Sequence, residues 1–271
     1  MIRLCMLPGA ILFTLAGLQG CGGGGASSPA INVAGGVYST TTNGNETLTV
    51  LAPEGQVSAP TPNWFGIQFT SGVPDLYSAR VTGVGTTSVS GTATTKHFQG
   101  ISSPRTGQSA SMSMALSTRL SSTVSIDATG QENALTLNWL TDEPSSTQYT
   151  YRTSASALTG TWAGNWYFGV NTSSAKSLVF SNGTVSAGQN LNANCNLENT
   201  QLTPLNGINL YGVSLNISIN TNCTLSTSNT QATPYQGLAF VISNPTSSVT
   251  SRLYIMATGA DGQAVFFKGD Q

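Results

Sequence analysis

Along most of the chain, apolar residues fall on every second position. Leu135, Leu137 and Trp139 alternate with Thr136 and Asn138, and Leu215, Ile217 and Ile219 alternate with Ser214, Asn216 and Ser218. Period two is the signature of a half-buried strand, because successive side chains leave opposite faces of the sheet. Val124 with Ile126 and Ile67 with Phe69 are shorter examples. Gly237-Leu-Ala-Phe-Val-Ile242 is apolar at consecutive positions, which predicts a central strand covered on both faces. Asn43-Gly44, Glu54-Gly55, Asn182-Gly183, Asn206-Gly207 and Asp261-Gly262 lie between such runs and read as turns. No stretch carries a helical period over ten residues; 153–158, TSASAL, predicts at most a single turn. The pattern predicts an all-β protein of antiparallel strands in a barrel or a sandwich.

The pattern also repeats. Gly36-Val37-Tyr38 precedes an apolar strand, a glycine turn and Val57-Ser58-Ala59; Gly160-Thr161-Trp162 precedes a strand, a turn and Val185-Ser186-Ala187. Leu135-Thr-Leu137 and Leu253-Tyr-Ile255 occupy similar places toward the ends of the two copies. The expectation is two tandem antiparallel units of similar fold, 34–157 and 158–271. Leu158-Thr-Gly160-Thr-Trp162 resembles the Gly-x-Trp opening of lipocalin-like small barrels, and the resemblance implies a tryptophan that plugs one end. It does not imply a lipocalin ligand, and Tyr38 stands in the place of Trp in the first copy.

The first thirty residues follow another rule. Arg3 precedes an apolar stretch from Leu4 to Ala16, too short to span about 30 Å of hydrocarbon, which predicts a signal peptide over residues 1–20. The stretch ends Leu18-Gln19-Gly20-Cys21. This resembles the lipobox of bacterial lipoproteins in Leu18, Gly20 and Cys21, with Gln19 in place of the usual small or aliphatic residue. The resemblance implies that Cys21 is linked to diacylglycerol, becomes the mature N-terminus and is N-acylated, palmitate being the expected type of chain. Gly22 in place of aspartate implies the outer membrane. Residues 21–33 begin CGGGGASSP, a flexible tether between the acyl chains and the folded part.

Composition narrows what the folded part does. Charged residues are only 7% of the chain and the net charge is −1, with nine basic residues. That is too few to build the clustered basic face a nucleic-acid binder needs. The surface is made polar by Ser, Thr, Asn and Gln instead. With Cys5 in the signal peptide and Cys21 carrying lipid, Cys195 and Cys223 remain. In an exported protein they are expected to form a disulfide, closing a loop of 223 − 195 = 28 residues worth roughly 3.5 kcal/mol. The competing metal reading lacks ligands at short spacing, since the one histidine is His97. Reduction is expected to lower the melting temperature of the second unit alone.

No catalytic pattern emerges. There is no G-x-S-x-G, calcium loop or phosphate-binding glycine loop, and His97 in Lys96-His97-Phe98 reads as an ordinary strand or surface histidine. Most carboxylates lie beside turn residues. Trp64-Phe65, and Trp162 with Trp166-Tyr167-Phe168, are candidates for a ligand platform, with Trp64 and Trp166 as the ligand-facing aromatics, although barrel core and plug is the preferred reading. The expectation is a lipid-anchored outer-membrane protein of structural or interaction role, without catalysis, cofactor or metal. Its membrane contact would run through Cys21, and any further partner would be an envelope or surface protein. The alternatives are a binding module for an apolar or saccharide ligand inside one barrel, and a cell-envelope carbohydrate-active enzyme with two carboxylates about 5–9 Å apart.

Overall fold

The computed structural model describes residues 35–42, 45–70, 73–85, 88–97, 109–118, 121–127, 132–139, 154–168, 171–185, 189–192, 195–206, 208–219, 233–259 and 264–271. It is all-β: among these residues the only helical pieces are two short 3-10 turns, Glu54–Gln56 and Ala155–Leu158. The second of these is the turn that TSASAL predicts. Ser154 caps it by accepting from the Ala157 N–H at 3.2 Å.

Eight strands in chain order form a closed antiparallel barrel: β1 (Gly36–Thr42), β2 (Asn45–Leu51), β3 (Trp64–Thr70), β4 (Val73–Thr82), β5 (Ser88–His97), β6 (Ser109–Thr118), β7 (Ser121–Asp127) and β8 (Glu132–Trp139). Closure comes from Tyr38 and Ser39 of β1 pairing with Trp139 and Asn138 of β8. A closed barrel has no free edge to pair with another chain.

The later described strands form a nine-stranded antiparallel sheet: β9 (Gly160–Phe168), β10 (Asn171–Ser181), β11 (Thr184–Val185), β12 (Gln189–Asn192), β13 (Cys195–Pro204), β14 (Tyr211–Ile219), β15 (Thr233–Thr246), β16 (Val249–Gly259) and β17 (Ala264–Asp270). The two-residue β11 pairs with both β10 and β13, so the sheet curls back on itself. Asn182 and Gly183, at φ 49° and 80°, form the turn before β11, as Asn-Gly predicts. The second sheet is therefore rolled, and the two-sheet sandwich is not the architecture of the first unit.

Alternation along the second sheet produces two separate apolar layers. Trp162, Trp166, Leu215, Ile217, Tyr235, Val241, Ile255 and Phe267 belong to one, a core of twenty buried residues inside the rolled sheet. Leu238, Phe240, Ile242, Tyr254, Met256 and Phe266 belong to the other, on the outer face. So 237–242 is apolar throughout because both of its faces are covered.

The outer layer is covered by the first barrel. Val37, Leu48, Val50, Phe65, Ile67 and Leu76 of β1–β4 pack into the same cluster. Strand register explains the match: Val37 pairs Val50, Val50 pairs Phe65, and Leu48 pairs Ile67, which pairs Leu76, so all project from one face. Phe266 sits at the centre of the seam, with ring centroids 5.8 Å from Phe69, 5.5 Å from Tyr167 and 6.4 Å from Tyr254. Lys268 lies over the Phe69 ring at 4.7 Å. Residues Ile31–Gln271 accordingly form one compact unit.

Two of the sequence correspondences do not survive in three dimensions. Val57 lies in the seam whereas Val185 lies in the core of the second sheet. Leu135–Trp139 is on β8, the last strand of its barrel, whereas Leu253–Ala257 is on the penultimate β16. The Gly-x-aromatic openings do match: Gly36 and Gly160 both have positive φ, 153° and 130°, and Tyr38 and Trp162 are both fully buried.

Candidate functional site

The segment 52–63 between β2 and β3 is held in place by side chains that bond its backbone. Asn63 is fully buried; its Nδ2 donates to the carbonyls of Ala52 at 3.1 Å and Val81 at 3.2 Å, and its Oδ1 accepts from the Val81 N–H at 2.8 Å. Arg80 Nη1 donates to the carbonyls of Val57 at 2.8 Å and Thr61 at 2.9 Å, and Nη2 to that of Glu54 at 3.2 Å. Glu54 in turn accepts from the Gly83 N–H at 2.8 Å. These bonds fix a loop that would otherwise leave several buried carbonyls unsatisfied.

The anchored loop forms one wall of a cleft at the margin of the seam. Pro60, Thr61 and Pro62 face Pro234, Gln236, Thr258 and Gly259 at the ends of β15 and β16, enclosing about 240 Å³. Gln236 and Thr258 are register partners on the outer face of the second sheet. Thr61 Oγ1 donates to Gln236 Oε1 and so ties the two sides of the cleft; elsewhere on the same loop Gln56 Nε2 donates to the Asn206 carbonyl at 2.5 Å. No charged residue lines the cleft.

A second polar feature lies within the first barrel. Ile67, Phe69 and Leu76 belong to or pack against the seam, so alternation assigns Asp75 to the inner face. Register then gives one row across five strands: Thr40 opposite Thr47, Thr47 opposite Gln68, Gln68 opposite Asp75, and Asp75 opposite His97. Asp75 is 8% exposed, unlike the solvated loop carboxylate expected from its neighbours. His97 is described as a register position on β5; its side chain lies outside the described residues.

The sequence-predicted site residues are placed as follows. Trp64 and Trp166 are fully buried, and neither has accessible surface for a ligand. Strand alternation separates the aromatic pairs: Phe65 and Tyr167 lie in the seam, while Trp166 lies in the core of the second sheet. Trp64-Phe65 and Trp166-Tyr167 therefore do not form flat platforms. Among the described residues, the Nε1 atoms of Trp64 and Trp166 have no hydrogen-bond partner, whereas Trp162 Nε1 donates to the Leu158 carbonyl at 2.9 Å. Tyr211 donates to the Ser154 carbonyl at 3.1 Å, and burial pushes its phenol up to about 12.

Cys195 is on β13, pairing with Ile219, but its side chain and all of Cys223 lie outside the described residues, as does Cys21. Among the described carboxylates, Asp270 accepts from Arg252 Nε at 2.5 Å and Nη2 at 2.8 Å; this bond raises the guanidinium further above its ordinary range. No group of three His, Cys, Asp or Glu able to hold a metal occurs among the described residues. Nor is any helix among them long and apolar enough to cross a membrane.

Sequence reading does not find the cleft. Its visible signal is Pro60-Thr61-Pro62, but the facing Pro234-x-Gln236 is far along the chain and joins it only through the seam. No protein family, curated protein or solved structure matches the chain.

Proposed function

We propose that the chain is a non-catalytic lipoprotein of the outer membrane, acylated on Cys21, that holds a rigid two-unit β body on a flexible tether and acts by interaction. The seam is the observation that carries this reading: eight buried residues of the first unit and nine of the second form one apolar layer. Such a layer makes a fixed platform, in which surface features of both units keep their relative positions. Positive-φ Gly36 and Gly160, each followed by a buried aromatic, support the further reading that the two units are tandem copies of one barrel. Cys195–Cys223 is the disulfide of the second copy in this reading.

The anchoring is tested by Cys21→Ser. The expected outcome is transfer of the protein from the membrane fraction to the soluble fraction; a variant that stays with the membranes refutes lipid anchoring at Cys21. A second reading, a ligand site inside the first barrel, is favoured by the Thr47–Gln68–Asp75–His97 row. Calorimetric titration with monosaccharides and fatty acids tests it, with Asp75→Asn expected to abolish any heat that arises there. Saccharide or fatty-acid binding that survives Asp75→Asn sinks that reading.

A further inference from the structure

We propose that the cleft between Pro60–Pro62 and the Pro234–Gln236 edge receives the aromatic ring of a tyrosine or tryptophan side chain presented by a protein partner. The inference rests on the interaction reading for its biological meaning, while ring binding itself is independent of the anchor.

Size comes first. A cavity of about 150 Å³ holds benzene, and drug-sized ligands need roughly 300–1,000 Å³. The cleft, at about 240 Å³, is large enough to seat a single substituted ring. Chemistry narrows the ring. Three of the lining residues are prolines, which offer no N–H and present flat C–H faces. Proline against aromatic is a recurrent recognition pair, used elsewhere by grooves lined with aromatics to bind proline segments. Here the prolines are on the receiving side.

The remaining groups are neutral hydrogen-bonding ones. Thr61 donates to Gln236 Oε1, which leaves the amide nitrogen as the donor end of that carboxamide, and Thr258 stands opposite Gln236 in register. A ring with one polar edge, the phenol hydroxyl or the indole N–H, matches a lining that mixes prolines with neutral polar groups. A charged ligand does not, because nothing in the lining compensates its lost hydration. Preorganisation favours binding as well. The Arg80 and Asn63 bonds fix one wall and the seam fixes the other, so little ordering is left to occur on association.

The test is an NMR titration of the full chain in detergent with N-acetyl-tyrosinamide and N-acetyl-tryptophanamide. Saturable shifts confined to the backbone amides of Thr61, Gln236, Thr258 and Gly259 are expected. Thr258→Trp, which fills the cleft, and Pro62→Ser, which removes part of a wall, should each weaken the binding about tenfold. Shifts that do not saturate, that centre elsewhere, or that both variants leave unchanged overturn the proposal. So does saturation by methyl glucoside in place of the aromatic amides. A Cys21→Ser variant that binds rings but stays with the membranes would refute the anchor and leave the cleft standing.

Discussion

The interiors of the two units are built differently. The second sheet encloses twenty apolar or aromatic residues, from Trp162 and Trp166 to Leu253 and Phe267. The inner face of the first barrel mixes fully buried Tyr38 and Trp64 with buried Thr49 and Asp75. Only two ionisable side-chain types other than tyrosine occur at its inner register positions in the described strands, Asp75 and His97, and they are opposite one another. Among the described residues, the second interior is thus dominated by apolar side chains, whereas the first barrel buries a carboxylate, Asp75. Yet the two units share a packing device. The Trp64 ring lies over Gly66, and the Phe267 ring over Gly269, each close enough that a Cβ on the glycine would clash with it. A large ring folded over an inner-face glycine fills the space and protects the local bend.

The contrast can be broken most directly at the seam, where the units stop being separate. Phe266→Ala removes the ring that contacts Phe69, Tyr167 and Tyr254, and is expected to cost about 3–5 kcal/mol in chemical unfolding. Wild type should unfold in a single calorimetric transition and the variant in two; two transitions in wild type would show that the seam does not couple the units.

Reduction sharpens the same comparison. If Cys195 and Cys223 are bonded, losing the bond costs roughly 3.5 kcal/mol. Coupling through the seam changes where that loss is read. In place of a shift in the second unit alone, both units should melt earlier together, followed by intrinsic fluorescence and hydrogen exchange in each. No shift on reduction would argue against the disulfide.

The smallest effect separates two tryptophans of one core. Trp162→Phe and Trp166→Phe remove similar volumes, but only Trp162 gives up a hydrogen bond, to the Leu158 carbonyl. Trp162→Phe should be the more destabilising by about 1 kcal/mol. Equal losses would mean that the bond contributes nothing net.

Much of the architecture is legible in the sequence because it follows from local physics. Strict alternation at 215–219 predicts a half-buried strand, since one side chain in two can reach the core. Continuous apolarity at 237–242 predicts burial of both faces, and both are covered, by the core and by the seam. Asn182-Gly183 predicts the hairpin, because both residues tolerate positive φ. The proposed anchor at Leu18–Cys21 rests on four adjacent residues of the sequence and on no contact in the fold.

Tertiary structure decided what depends on register between distant strands. Alternation shows that Trp64 and Phe65 face opposite ways, but not that Phe65 meets Phe240 and Phe266 in one cluster. Asp75 reads as a loop carboxylate beside Pro74, and only the pairing of β3, β4 and β5 carries it to the inner face opposite His97. The cleft is the clearest case. Thr61 and Gln236 are 175 residues apart and meet because the seam holds two sheets together, a long-range contact that local propensity does not encode.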